Sequence, residues 1–135
     1  MVDRDQGTVV LDAGAVIGLA RGDRRLRARL TAIRADGESI VIPMVVVTET
    51  TRGNGPRDAA VNLVIGHCAP LHQLSEATAR TAGVLLRRTR SSNTIDALVV
   101  AEAVGRAPCV VLTSDPDDLA PLTAASGARV LIRPI

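Results

Sequence analysis

The stretch Thr8-Val-Val-Leu-Asp-Ala-Gly-Ala-Val-Ile-Gly-Leu-Ala20 decides the fold. Val9, Val10 and Leu11 are aliphatic and mostly β-branched, which predicts a short strand buried on both faces. Asp12 follows at once, and the small and aliphatic residues 13–20 predict a helix start. Strand, acid, helix places one carboxylate at the carboxyl edge of a parallel sheet. Open α/β folds bind their ligands at that edge.

The rest of the chain repeats the alternation. Residues 23–36 read as a helix with Leu26, Leu30 and Ile33 on one stripe, closed by Gly37. Residues 39–42 read as a strand. Pro43 suits the first position of a helix, but Val45, Val46 and Val47 suit a helix poorly, so a strand continuing through Val47 competes there. Arg52-Gly-Asn-Gly-Pro56 is a loop, and a helix is expected from Pro56 to about Gly66. Residues 69–74 read as a weakly signalled strand. Ser75 can cap a helix running to about Arg88. Asn93 or Thr94 caps a helix to Val104 that is almost wholly apolar after Asp96. A strand at 108–113, a helix opened by Asp115-Pro-Asp-Asp118 and a strand at 128–132 complete the chain. Strands alternating with helices predict one domain over residues 1–135, a three-layer α/β/α sandwich around a mostly parallel sheet.

Composition narrows the chemistry. With 135 residues and 47% hydrophobic content the chain can bury a core. No apolar run reaches the roughly 18 residues of a spanning helix. The first seven residues do not resemble a signal peptide, so a cytoplasmic protein without membrane contact is expected. The 16 basic residues are all arginine, clustered within 21–34 and 80–90, for a net charge of +2. Arginine suits bidentate phosphate contacts; solvated helix faces in a protein from a GC-rich genome account for it equally well. The lack of lysine removes the Walker phosphate loop and Schiff-base chemistry. The absence of Phe, Trp and Tyr removes base stacking on aromatic rings. Cys68 and Cys109 read as buried thiols, and the His67-Cys68-x-x-x-His72 spacing matches no standard zinc pattern.

Four acids stand out: Asp12 ends the first strand, Glu49 lies in the segment after the second, Asp96 opens the most buried helix and Asp115 follows the strand at 108–113. Each has a plainer reading as a turn, cap or surface residue. Capping is the stronger explanation for Asp117. Together the four can converge on one point at the sheet's carboxyl edge. Converging carboxylates repel, and a hard divalent cation such as Mg²⁺ or Mn²⁺ relieves them. Such a cation lowers the pKa of a bound water and offsets charge on a phosphoryl oxygen. With no His or Cys nucleophile placed, the pattern suits metal-dependent phosphodiester hydrolysis.

Four segments in order then resemble the PIN-domain ribonucleases, most closely the VapC-type toxins of bacterial toxin–antitoxin pairs. They are Val9-Val-Leu-Asp-Ala-Gly-Ala-Val-Ile-Gly-Leu-Ala20, Ile42-Pro-Met-Val-Val-Val-Thr-Glu49, Thr94-Ile-Asp-Ala-Leu-Val-Val-Ala101 and Val111-Leu-Thr-Ser-Asp-Pro-Asp-Asp-Leu119. The resemblance implies a PIN-like fold and a Mg²⁺- or Mn²⁺-dependent endoribonuclease acting on RNA. It also implies a homodimer and a small cognate antitoxin as inhibitor. It assigns Asp12, Glu49, Asp96 and Asp115 to the acidic quartet, Asp118 as an additional acid near the metal, and Thr113 as a hydroxyl beside the site. Gly14 departs from the pattern, because the family often has Ser, Thr or Asn there. Leu119 stands where an aromatic is common. An alternative is a PIN-like module that binds RNA or protein without cutting. Haloacid-dehalogenase-like phosphatases need a second Asp where Gly14 stands, receiver domains need a lysine, and Gly14, Gly18 and Gly22 do not make a dinucleotide fingerprint.

Overall fold

The computed structural model describes residues 7–68 and 71–135. Its elements run β1 (Thr8–Leu11), α1 (Ala13–Ala20), α2 (Arg24–Ala35), β2 (Ser39–Val41), α3 (Met44–Thr50), α4 (Gly55–His67), α5 (Glu76–Thr89), α6 (Thr94–Val104), β3 (Cys109–Thr113), α7 (Pro116–Ser126) and β4 (Val130–Pro134). The four strands form one sheet in the order β2-β1-β3-β4, and every pairing is parallel. β1 is central, with Val9, Val10 and Leu11 all buried.

Parallel neighbours need crossover connections, and these are right-handed. From β1 to β2 the chain steps one way across the sheet; from β2 to β3 and from β3 to β4 it steps the other way. The helices therefore cover both faces. α1 packs on α2 and α4, while α5, α6 and α7 pack together. The result is a three-layer α/β/α sandwich.

α3 resolves the ambiguity after β2. Pro43 is its N-cap, in extended conformation, and Val45–Val47 are helical. Burying a valine contributes about 1.5–3 kcal/mol, more than the roughly 0.5 kcal/mol by which a β-branched residue disfavours a helix. Val46 is fully buried and Val45 and Val47 pack against the core, so burial wins. Thr50 and Thr51 each turn a hydroxyl back onto a carbonyl of the last turn, and the helix ends there.

Two expectations need correction. Residues 71–74 form no strand, and residues 69–70 lie outside the described residues. Leu71 packs on the core while His72, Gln73 and Leu74 are exposed; an alternating buried face is missing. The last strand lies two residues later than read. Gly127 caps α7 at φ 65° and Val130 N–H closes a turn on Ala128 O, so pairing starts only at Val130.

Candidate active site

The fold delivers the acids to the carboxyl edge by three routes. Asp12 follows β1 directly, and Asp115 follows β3 after the single residue Ser114. Asp96 lies in the first turn of α6, which runs back against the strands and so starts at this edge. Glu49 rides on α3, which leaves the end of β2 and packs against both α1 and α6.

Asp12 is the most fixed of them, at 6% exposure. Its Oδ1 accepts from Ala13 N–H at 2.8 Å, and its Oδ2 accepts from the Thr113 hydroxyl at 2.9 Å. The same Thr113 oxygen accepts from Asp115 N–H at 3.0 Å. Thr113 is fully buried. It is a splint between the ends of β1 and β3, and it ties one acid's side chain to the other's backbone.

Asp115 occupies the N-cap position of α7 but makes no capping hydrogen bond. Its carboxylate instead accepts from the Ser114 hydroxyl at 3.3 Å. The helix-cap explanation for Asp115 therefore fails. Asp117 and Asp118 stand exposed in the first turn of α7, where an acid favours the helix dipole.

Asn93 restrains Asp96. Its side-chain oxygen accepts from Asp96 N–H at 3.1 Å, and its Nδ2 donates to Asp96 Oδ2 at 2.7 Å. Burial, then the charges of Asp12, Asp118 and Asp115, push the Asp96 carboxyl up to about 6; the Asn93 hydrogen bond opposes them. Glu49 is raised by burial first and then by Asp12, Asp96 and Asp115. Glu49 and Asp96 thus each lie within electrostatic reach of Asp12 and Asp115, with Asp118 beside Asp96. Asp117 perturbs neither.

Glu49 Oε1 is buried and accepts no hydrogen bond among the described residues. A buried acceptor without a donor is costly, and a bound cation would supply what it lacks. The donor set is all oxygen, the kind Mg²⁺ and Mn²⁺ take. Among the described residues no three ligand groups already stand at metal-binding spacing. Carboxylates that repel one another draw close around a positive charge. Mg²⁺ also keeps several waters and needs only one or two direct carboxylates. The residues fit such an ion.

Other candidates dissolve. His67, Cys68 and His72 make no ligand cluster; burial raises the Cys68 thiol, and Arg34 Nη2 lies 3.7 Å from its sulfur. The arginines divide. Arg29, Arg34 and Arg88 hold backbone carbonyls of Pro134, His67 and Ala125. Arg87 and Arg90 flank the turn into α6 and are exposed. Two side chains at the site lacked a functional signal in the sequence. Asn93 read only as a cap, and Ser114 lay unremarked between Thr113 and Asp115.

No protein-family model matches the sequence, and no curated protein matches it. Solved structures do match in shape. A chain of VapBC2 from Rickettsia felis, in a crystal structure bound to a DNA fragment from their promoter, has TM-score 0.75 at 11% identity over 95% of this chain and 98% of that one. A chain of VapBC-1 from nontypeable Haemophilus influenzae has TM-score 0.69 at 13% identity over 94% and 97%. Identities this low speak for fold, and the fold of this chain is the PIN-like α/β/α sandwich found in those VapBC structures.

Proposed function

We propose that the protein is a Mg²⁺- or Mn²⁺-dependent endoribonuclease and the toxin of a toxin–antitoxin pair. The buried, unpartnered Glu49 Oε1 among acids that repel one another carries the reading. Asp12, Glu49, Asp96 and Asp115 would hold the ion, with Asp118 beside them. A divalent ion there would offset charge on the scissile phosphate and lower the pKa of a water. The chain supplies the rest. Thr113 and Ala13 N–H keep the Asp12 carboxylate in one orientation. Asn93 holds that of Asp96. Arg87 and Arg90, exposed at the end of α5, would contact RNA phosphates.

An antitoxin partner is supported by the likeness to chains solved as VapBC complexes. A basic side chain from such a partner would pair with Asp12, Asp96 or Asp115 and replace the ion. A homodimer and a cytoplasmic location belong to the same reading. No helix among the described residues is long and apolar enough to cross a membrane.

The test is cleavage of RNA by the purified protein, freed of any partner, with Mg²⁺ or Mn²⁺ and with EDTA. Cleavage should stop in EDTA and in Asp12→Asn and Asp96→Asn, while both variants keep their fold. Asp117→Asn should cost much less than Asp115→Asn. Undiminished cutting after metal stripping would sink the metal mechanism. A second reading, a PIN-like module that binds RNA or protein without cutting, draws on the acids not being closed to ligand spacing. It predicts RNA or partner binding with no cleavage at any metal concentration.

A further inference from the structure

Gly14 lies in the first turn of α1, two residues after Asp12. A Cβ there would meet the Ser114 hydroxyl oxygen at a separation real Cβ atoms do not show. It would also lie 2.7 Å from Ser114 Cβ and 3.1 Å from Ser114 N. The hydroxyl could rotate away, but the Cβ and the backbone nitrogen could not. Ser114 therefore fills the space that a side chain on residue 14 would claim. From there its hydroxyl reaches Asp115 Oδ2.

We infer that Gly14 and Ser114 are one interlocked pair, and that Ser114 is a positioning residue for Asp115. It delivers, from the turn after β3, the polar group that residue 14 cannot carry. The glycine is then a fit to the serine and not a gap in the site. Thr113 pins the backbone of Asp115 and Ser114 orients its carboxylate. The assignment rests on the acid site being a metal site; the packing half does not.

Four variants separate these parts: Ser114→Ala, Ser114→Gly, Gly14→Ser and the double variant G14S/S114G. Melting in EDTA reads packing. Mn²⁺ titration by calorimetry reads the site without turnover, and RNA cleavage reads its use. Ser114→Ala should melt as the wild type does and bind Mn²⁺ about 3–10-fold more weakly, less than the roughly 10–100-fold usual for outer-shell partners because this bond is long and exposed. Ser114→Gly should show the same weakening. Gly14→Ser should melt several degrees lower, although helix propensity alone favours the change. The double variant should melt above Gly14→Ser, short of the wild type because the backbone nitrogen of residue 114 stays 3.1 Å from the new Cβ, and bring Mn²⁺ affinity within about 3-fold of wild type, a non-additivity expected only of residues in contact. Wild-type Mn²⁺ affinity in Ser114→Ala overturns the positioning role. A double variant no more stable than Gly14→Ser overturns the interlock. A wild-type protein that neither binds Mn²⁺ nor cuts RNA overturns the nuclease reading and the role of Ser114 with it, while the EDTA melts still decide the interlock.

Discussion

Thr113 carries more of the site than its neutral side chain suggests. It donates to Asp12 Oδ2 and accepts from Asp115 N–H, all in a fully buried position. Thr113→Val keeps the volume and removes both bonds. It leaves a buried carboxylate oxygen and an N–H without their partner, at about 1–3 kcal/mol for each. If Asp12 holds the proposed metal, cleavage should fall about 10–100-fold, the loss expected when a ligand is deprived of its outer-shell support. Thr113→Ser keeps the hydroxyl and should retain most of both. Thermal melts and single-turnover cleavage check this; equal damage by the two changes would mean that the methyl group matters and the splint does not. Thr113 was legible in the sequence only through the resemblance, as a hydroxyl two residues before Asp115. The contact between Gly14 and Ser114 was not legible at all. It joins residues 100 positions apart, and nothing in the spacing of either segment reveals that one fills the other's space.

Among the elements, those with a period and a cap could be read directly. α2 is bounded by Asp23, whose carboxylate accepts from Leu26 N–H, and by Gly37 at φ 80°. α5 starts at Ser75, which caps Thr78 N–H. α3 could not be decided, because its propensity and its burial point in opposite directions and burial is a tertiary fact. α6 is the element on which the site leans most. Asn93 both caps it and restrains Asp96, and the two roles can be separated. Asn93→Ser keeps a capping oxygen and lacks the amide donor. Asn93→Ala loses both and should cost about 1 kcal/mol. In either variant the Asp96 carboxyl should titrate higher than about 6, because the hydrogen bond that lowers it is gone. Carbon-detected NMR titration of Asp96 together with melting curves tests the separation. An unmoved Asp96 in Asn93→Ser would show that the amide donor does not act on the carboxylate.

At the scale of the whole molecule, the acid site sets stability against function, and pH exposes the conflict. Unfolded, Asp96 releases its proton near 3.8; folded, it holds the proton up to about 6. Glu49 is shifted upward from 4.5 in the same sense. Between those values the folded chain binds more protons than the unfolded one, so metal-free stability falls as pH rises through about 4 to 6 and stays low above. Asp58 acts in the opposite sense. Hydrogen bonds from Arg52, Gly53 and Asn54 and the charge of Arg57 hold its carboxyl below 3.8, against the opposing effect of burial. Its contribution is full above 3.8 and is lost as pH falls below that value. Melting in EDTA should therefore peak near pH 4, where the two windows meet, and decline through about pH 6. Asp96→Asn should flatten the upper decline. Under the proposed function Mg²⁺ or Mn²⁺ would bind the charged, folded form alone, so its stabilisation should grow as pH rises through 6. A melting point in EDTA that climbs steadily from pH 4 to 7 would mean that the acids do not repel one another in the folded chain. The shared electrostatic site, and the reason for a cation there, would fall with it.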